Sequence, residues 1–238
     1  NQTLIAIPLF VFMGVTLEKT KIAESLLSDL SSLFGRSRSG LAATVILVGA
    51  LMAASTGIVG ATVVTMSLMA LPVMLKAGYD ARLATGTISA TGTLGQIIPP
   101  SIALVLLGDV LSNAYQQAQL NQGIFAPKSV SVGDLFAGAI VPGLCLVILY
   151  LLYVYTNILL SKNKIDSQRA SDQKFNVFSL LASLAPPLLL IFAVLGSIIL
   201  GYATPTEAAG IGAAGAILIG LATKRLEFST IKAISEST

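Results

Sequence analysis

Four long stretches of the chain, residues 39–75, 83–108, 135–161 and 175–206, contain no Asp, Glu, Lys or Arg. A helix crossing the hydrocarbon layer needs about 20 mainly apolar residues, and each of these runs is longer than that. Only 11% of the 238 residues are charged and 55% are apolar. A soluble domain carries about 25% charged residues. Disorder is excluded and a single soluble domain is not a workable reading. The expected fold is an all-α polytopic membrane protein surrounded by the lipid bilayer, because helices satisfy every backbone polar group within the segment.

Other counts remove whole function classes. There is no His, and Cys145 is the only Cys, so a four-ligand structural zinc site cannot be built and no internal disulfide exists. The net charge of +3 comes from Lys and Arg in short loops between spans, as membrane topology requires, and does not point to nucleic acid. Intramembrane proteases need paired Asp, a Ser–His dyad or an H-E-x-x-H motif, and none is present, so the chain is not read as an enzyme. It starts at Asn1 inside an apolar segment and is expected to be a piece of a longer protein.

Loop charges organise the segments. Residues 18–38 carry Lys19, Lys21, Arg36 and Arg38 and read as a cytoplasmic amphipathic connector. Residues 162–174, with Lys162, Lys164, Arg169 and Lys174, form a cytoplasmic loop, and residues 224–238 a cytoplasmic tail. Residues 109–134 hold a single Lys128 and are expected as an external polar loop and a surface for partner contact. Residues 135–161 then cross inward as one transmembrane helix, and residues 175–223 hold two more. The run 39–75 would be about 55 Å long as one helix, too long for a straight crossing. It is either a hairpin of two segments or a broken helix crossing once with Lys76 and Arg82 outside; both readings stand on sequence alone. Thr204-Pro205-Thr206-Glu207 predicts a capping box, with Thr204 at the N-cap, Pro205 at N1 and Glu207 at N3. Tyr150, Tyr153 and Tyr155 read as interface anchors.

Two stretches break the rules of an ordinary span: Ala54-Ser55-Thr56-Gly57-Ile58-Val59-Gly60-Ala61-Thr62 and Thr91-Gly92-Thr93-Leu94-Gly95-Gln96-Ile97-Ile98-Pro99-Pro100-Ser101. Pro99 and Pro100 remove backbone donors and clash with carbonyls a turn earlier, and the glycines weaken the helix before them. Irregular backbone at membrane depth persists only where protein or a watery cavity surrounds it. Freed carbonyls and hydroxyls there can replace the water around Na⁺. Ser55, Gly57, Gly60 and Thr62 are the candidate ion ligands. Gly92, Thr93, Gly95, Pro99 and Pro100 are the candidate ion and substrate pocket. The competing reading is that these small residues only let helices approach closely. Since the spans hold no acid or base, neutral oxygens around sodium fit better than a proton relay. Pro8, inside the apolar segment 1–17, joins the pocket as the point where a short re-entrant hairpin could turn; a kinked span is the alternative.

At these motifs the chain resembles the large membrane subunit of tripartite ATP-independent periplasmic (TRAP) transporters. The matching residues are Ile7-Pro8-Leu9-Phe10-Val11-Phe12-Met13-Gly14, the two stretches above, Leu71-Pro72-Val73-Met74 with Gly78-Tyr79-Asp80, Asp134-Leu135-Phe136-Ala137-Gly138 with Pro142-Gly143, and Thr204-Pro205-Thr206-Glu207-Ala208-Ala209. Within the family, Ser55-Thr56-Gly57 with Gly60-Ala61-Thr62 looks like the mannitol or chloroaromatic branch. The resemblance implies an elevator-type secondary transporter of the bacterial inner membrane, built from inverted repeats. It implies Na⁺ as coupling ion with no other cofactor, a small membrane subunit and a periplasmic binding protein as partners, and a small organic acid as substrate. It places residues 1–17 in the first re-entrant hairpin, residues 39–108 in broken transport-domain helices, and residues 175–223 at the start of a second repeat. Where the family often has two serines, Thr56-Gly57-Ile58 follow Ser55 here, so the resemblance implies carbonyl coordination at that position and leaves side-chain coordination open. The rival functions are a sodium–carboxylate carrier that needs no binding protein, and a channel or structural subunit.

Overall fold

The computed structural model describes residues 2–20, 22–34, 37, 39–160, 177–223, 225–226, 231, 234–235 and 238. Its main helices are α1 (Gln2–Lys19), α2 (Ile22–Phe34), α3 (Gly40–Thr56), α4 (Val59–Lys76), α5 (Ala81–Thr93), α6 (Ile102–Asn121), α7 (Val132–Leu160), α8 (Val177–Ile199) and α9 (Pro205–Ala222). A 3-10 turn, Leu94–Gln96, links α5 to the break before α6. No strand occurs among the described residues. Four helices are long and apolar enough to cross a membrane: α4, α7, α9 and the part Leu180–Ile199 of α8. The chain is an all-helical multi-pass membrane protein. The expected loop 162–174 lies outside the described residues, as does most of the tail.

The 37-residue charge-free run is a helical hairpin. Gly57 adopts φ 62, a left-handed conformation that suits glycine, and Ile58 follows in extended backbone. Beyond this tip the chain turns back on itself. Met66 of α4 comes within 3.6 Å of the position a Cβ on Gly49 would take, and Leu41 and Val73 line one cavity. These pairs are nearly symmetric about Gly57, as two antiparallel arms require. The alternative that the sequence left open is thereby decided: residue 39 and Lys76 lie at the same end.

Helix α5 runs beside α3 in the same direction. The Ala42 N–H reaches the Tyr79 hydroxyl at 3.4 Å, Gly49 sits against Thr91, and Gly95 against Ala53. After the break, α6 continues past the tip of the hairpin. Helix α7 then returns antiparallel to both. Gly108 packs on Val132, Gly143 on Ile98, and Tyr153 and Asn157 come beside Arg82. Gly143 is nine residues from Asp134 and 14 from Asn157, so the level of Ile98 is about 13 Å from one end and about 21 Å from the other. The breaks therefore sit within the apolar depth of the fold.

Helices α1, α2, α8 and α9 flank this group. Helices α1 and α9 pack closely and in parallel: Gly212 faces Met13, and Gly220 faces Thr20. Helix α2 turns its apolar side inward through Leu26, Leu27 and Leu30. It is tied to α3 by the Thr44 hydroxyl, which donates to the Leu30 carbonyl at 3.2 Å. It is tied to α8 by the Ser183 hydroxyl, which donates to the Asp29 carboxylate at 2.7 Å.

Two expectations are corrected. Pro8 marks no turn: it lies exposed within the continuous helix α1. A proline in the second turn of a helix removes one hydrogen bond, which neighbouring packing can outweigh. The segment 109–134 is a loop only in its later part, because α6 extends to Asn121. Its polar residues support the helix there: the Gln116 amide donates to Ser112 at 3.1 Å and the Gln117 amide to Asn121 at 3.2 Å.

The predicted capping box at α9 is present in full. The Glu207 N–H donates to the Thr204 hydroxyl at 3.3 Å, and the Thr204 N–H donates to the Glu207 carboxylate at 2.8 Å. Thr204→Ala is expected to lower stability by about 1 kcal/mol, read as a fall in the melting temperature of the complete transporter, with its coupling-ion requirement unchanged.

Candidate functional site

The tip of the α3–α4 hairpin and the break between α5 and α6 meet. The Gln96 side-chain amide donates to the Gly57 carbonyl at 2.9 Å. A Cβ on Gly57 would lie 3.4 Å from the Pro100 carbonyl oxygen. Pro99 and Pro100, joined by a cis peptide bond, are buried. The Ser101 hydroxyl donates to the Gln96 carbonyl at 2.7 Å and accepts from the Leu104 N–H at 3.3 Å, so it closes the turn and caps α6. The two sequence stretches that break helical rules thus form one site from opposite elements.

The hairpin tip is rich in oxygen. The Thr62 side chain is fully buried and that of Thr56 nearly so. Their hydroxyl oxygens are 2.8 Å apart. The Thr56 hydroxyl also lies 3.0 Å from the Met52 carbonyl, and the Thr62 hydroxyl 3.0 Å from the Ile58 carbonyl. Each hydroxyl has one proton to donate, so three close oxygen pairs share two protons. One pair is always left without a hydrogen between its oxygens. The Ser55 hydroxyl donates to the same Met52 carbonyl at 2.8 Å. A cluster of neutral oxygens suits a bound cation better than a bound anion. No group of three or more His, Cys, Asp or Glu able to hold a metal ion occurs among the described residues.

The candidate residues divide by the face they occupy. Ser55, Gly57 and Thr62 belong to the cluster. Gly60, two residues before Thr62, is exposed, and a Cβ there would meet nothing within 4 Å. Thr93 is exposed, with its hydroxyl turned to the Ala90 carbonyl at 2.7 Å. Gly92 and Gly95 permit close packing: Gly92 lies against Val63, and a Cβ on Gly95 would be 3.2 Å from the Ala53 carbonyl oxygen. Pro8 lies on the exposed side of α1. Its helix instead reaches the tip through Gly14, where a Cβ would be 2.6 Å from the Thr56 Cα and 2.8 Å from its carbonyl oxygen.

Sequence reasoning passed over three contributors. Thr56 pairs with Thr62, Gln96 holds the Gly57 carbonyl, and Glu18 accepts from the Thr65 hydroxyl at 2.6 Å, joining α1 to α4. Gln96 carried a usable signal: an amide between glycines and prolines in an apolar run needs a partner. Glu18 carried none, since its charge reads equally well as part of a cytoplasmic loop.

Residues 1–238 match the family model described as "Tripartite ATP-independent periplasmic transporter, DctM component". The chain is 32% identical over 219 residues to the C4-dicarboxylate TRAP transporter large permease protein DctM of Rhodobacter capsulatus, covering 92% of this chain and 48% of that protein. It is 31% identical to the protein of the same description from Pseudomonas aeruginosa, covering 93% and 47%. It is 27% identical to the ectoine TRAP transporter large permease protein TeaC of Halomonas elongata, covering 99% and 51%. The chain therefore spans about half the length of the curated relatives it matches. These are inner-membrane transport proteins rather than enzymes. With its apolar helices, its paired breaks and this match over its whole length, the chain belongs to the DctM family, the large permease component of TRAP transporters.

Proposed function

We propose that this chain forms part of a sodium-driven permease that takes up a small organic acid delivered by a periplasmic binding protein. A small membrane subunit completes the unit, and the binding site moves across the membrane with its domain in an elevator motion. The observation that carries this reading is the contact between the two breaks, where Gln96 holds the Gly57 carbonyl at the depth of Gly143. Backbone irregularity at that depth persists where it is buried in protein or lines a watery cavity, and carbonyls with neutral hydroxyls are the ligands sodium takes in such folds. Thr56, Thr62 and the Met52 and Ile58 carbonyls are the proposed sodium ligands, with Ser55 adjoining. The half-helix start at Ile102, beyond Ser101, faces the same region and would favour an anionic group. The relatives named for C4-dicarboxylate and ectoine support a small organic solute.

The test is uptake by the complete transporter in proteoliposomes, with and without its binding protein and a sodium gradient. Uptake is expected only when both are supplied. Uptake driven by sodium without the binding protein would replace this reading with a simple carrier, and flux without either would replace it with a channel.

A further inference from the structure

Away from the breaks, a cavity of about 370 Å³ opens between the start of α5 and the end of α7, bordered by Asp80, Arg82, Gly86, Tyr153 and Asn157. Helix α7 places it near the membrane surface, on the side where the basic segment 162–174 follows. Among the described residues no hydrogen bond or ion pair engages the Arg82 guanidinium, the Tyr153 hydroxyl or the Asn157 amide. These are three kinds of donor around one space. The Asp80 carboxylate uses one oxygen to cap α5, accepting from the Arg82 N–H at 2.8 Å. Its other oxygen has no partner among the described residues.

We propose that this cavity binds the headgroup of a zwitterionic aminophospholipid of the cytoplasmic leaflet. Arg82, Tyr153 and Asn157 hold its phosphodiester, and the free oxygen of Asp80 accepts from its ammonium. Charge matching supports the choice: one cation and one anion border the cavity, which suits a headgroup carrying one of each. A phosphodiester alone would leave Asp80 repelled. Lipid is favoured over free phosphate by what lies deeper. Gly86 opens the wall, with nothing within 4 Å of where a Cβ would stand. Leu149, one turn toward the membrane centre from Tyr153 on the same face of α7, is 57% exposed. An acyl chain can follow that path.

The experiment is native mass spectrometry of the complete transporter in mild detergent, titrated with phosphatidylethanolamine or phosphatidylglycerol. The wild type is expected to retain phosphatidylethanolamine at least about tenfold better. Arg82→Gln should reduce that retention about tenfold or more, the loss of one charge-assisted contact. Asp80→Asn preserves the helix cap and should remove the preference between the two lipids while leaving retention of phosphatidylglycerol intact. Arg82→Lys should restore part of the binding, which separates loss of the contact from misfolding. Equal retention of both lipids by the wild type, or unchanged retention in Arg82→Gln, would overturn the proposal. Displacement of the lipid by millimolar inorganic phosphate would assign the cavity to a free anion instead.

Discussion

Gly14→Ala is expected to separate α1 from the hairpin tip and abolish uptake by the complete transporter. The added carbon would lie 2.6 Å from the Thr56 Cα and 2.8 Å from the Thr56 carbonyl oxygen. Both are backbone atoms and cannot rotate aside as the end of a flexible side chain would. Overpacking of a closed contact costs about 1–3 kcal/mol, and more where backbone must move. The damage is concentrated where it matters, because Thr56 is the residue whose hydroxyl meets Thr62. Either the helices part or the tip shifts, and both outcomes disturb the oxygen cluster. The readouts are the melting temperature of the purified transporter and its uptake rate. Gly60→Ala is the matched control, since a Cβ there has open space, and it should leave stability within about 0.5 kcal/mol of the wild type. A Gly14→Ala protein that melts and transports like the wild type would mean that α1 does not sit against the tip.

The second large effect is expected from Gln96→Leu. The replacement keeps roughly the same volume and removes the donor that holds the Gly57 carbonyl at 2.9 Å. Gly57 is buried, and a buried acceptor left without its donor costs about 1–3 kcal/mol. That cost falls on the contact between the two breaks. If the competent geometry becomes the minor one, apparent ligand affinity falls by the fraction remaining, about 5- to 100-fold. The expected result is a matching loss in apparent sodium affinity, measured as the concentration giving half-maximal uptake, with the complex still assembled. Unchanged sodium affinity would show that the contact between the breaks is structural only.

How much of this could be read in the sequence depends on which physical property each residue expresses. The capping box at Thr204 was fully legible because N-cap chemistry is local: four residues contain the whole interaction. The two breaks were legible for the same reason, since Gly57 and the Pro99-Pro100 pair dictate backbone geometry whatever surrounds them. The face each residue presents was not. Gly60 and Thr62 are two residues apart, about 200° around a helix, so one is exposed and the other buried, and composition does not say which. Thr93 is likewise exposed beside the buried Gly92. Gly14 and Gln96 depend on partners 42 and 39 positions away, and nothing in the local pattern announces such a pairing. Whether the run 39–75 folds back at Gly57 was hidden because an apolar arm that folds back and one that crosses have the same composition. Pro8 drew attention because proline suits turns, whereas α1 accommodates it as one missing hydrogen bond on an exposed side.

The measurement that tests the central claim most directly is a sodium titration of uptake in the wild type and in Thr62→Val. Valine keeps the volume of threonine but removes the hydroxyl that meets Thr56 at 2.8 Å and the Ile58 carbonyl at 3.0 Å. With one ligand of the cluster gone, the sodium concentration for half-maximal uptake is expected to rise about tenfold, the equivalent of about 1.4 kcal/mol, while the transporter remains assembled and its maximal rate is approached at high sodium. An identical sodium dependence in the two proteins would contradict the account and return the hairpin tip to a packing role.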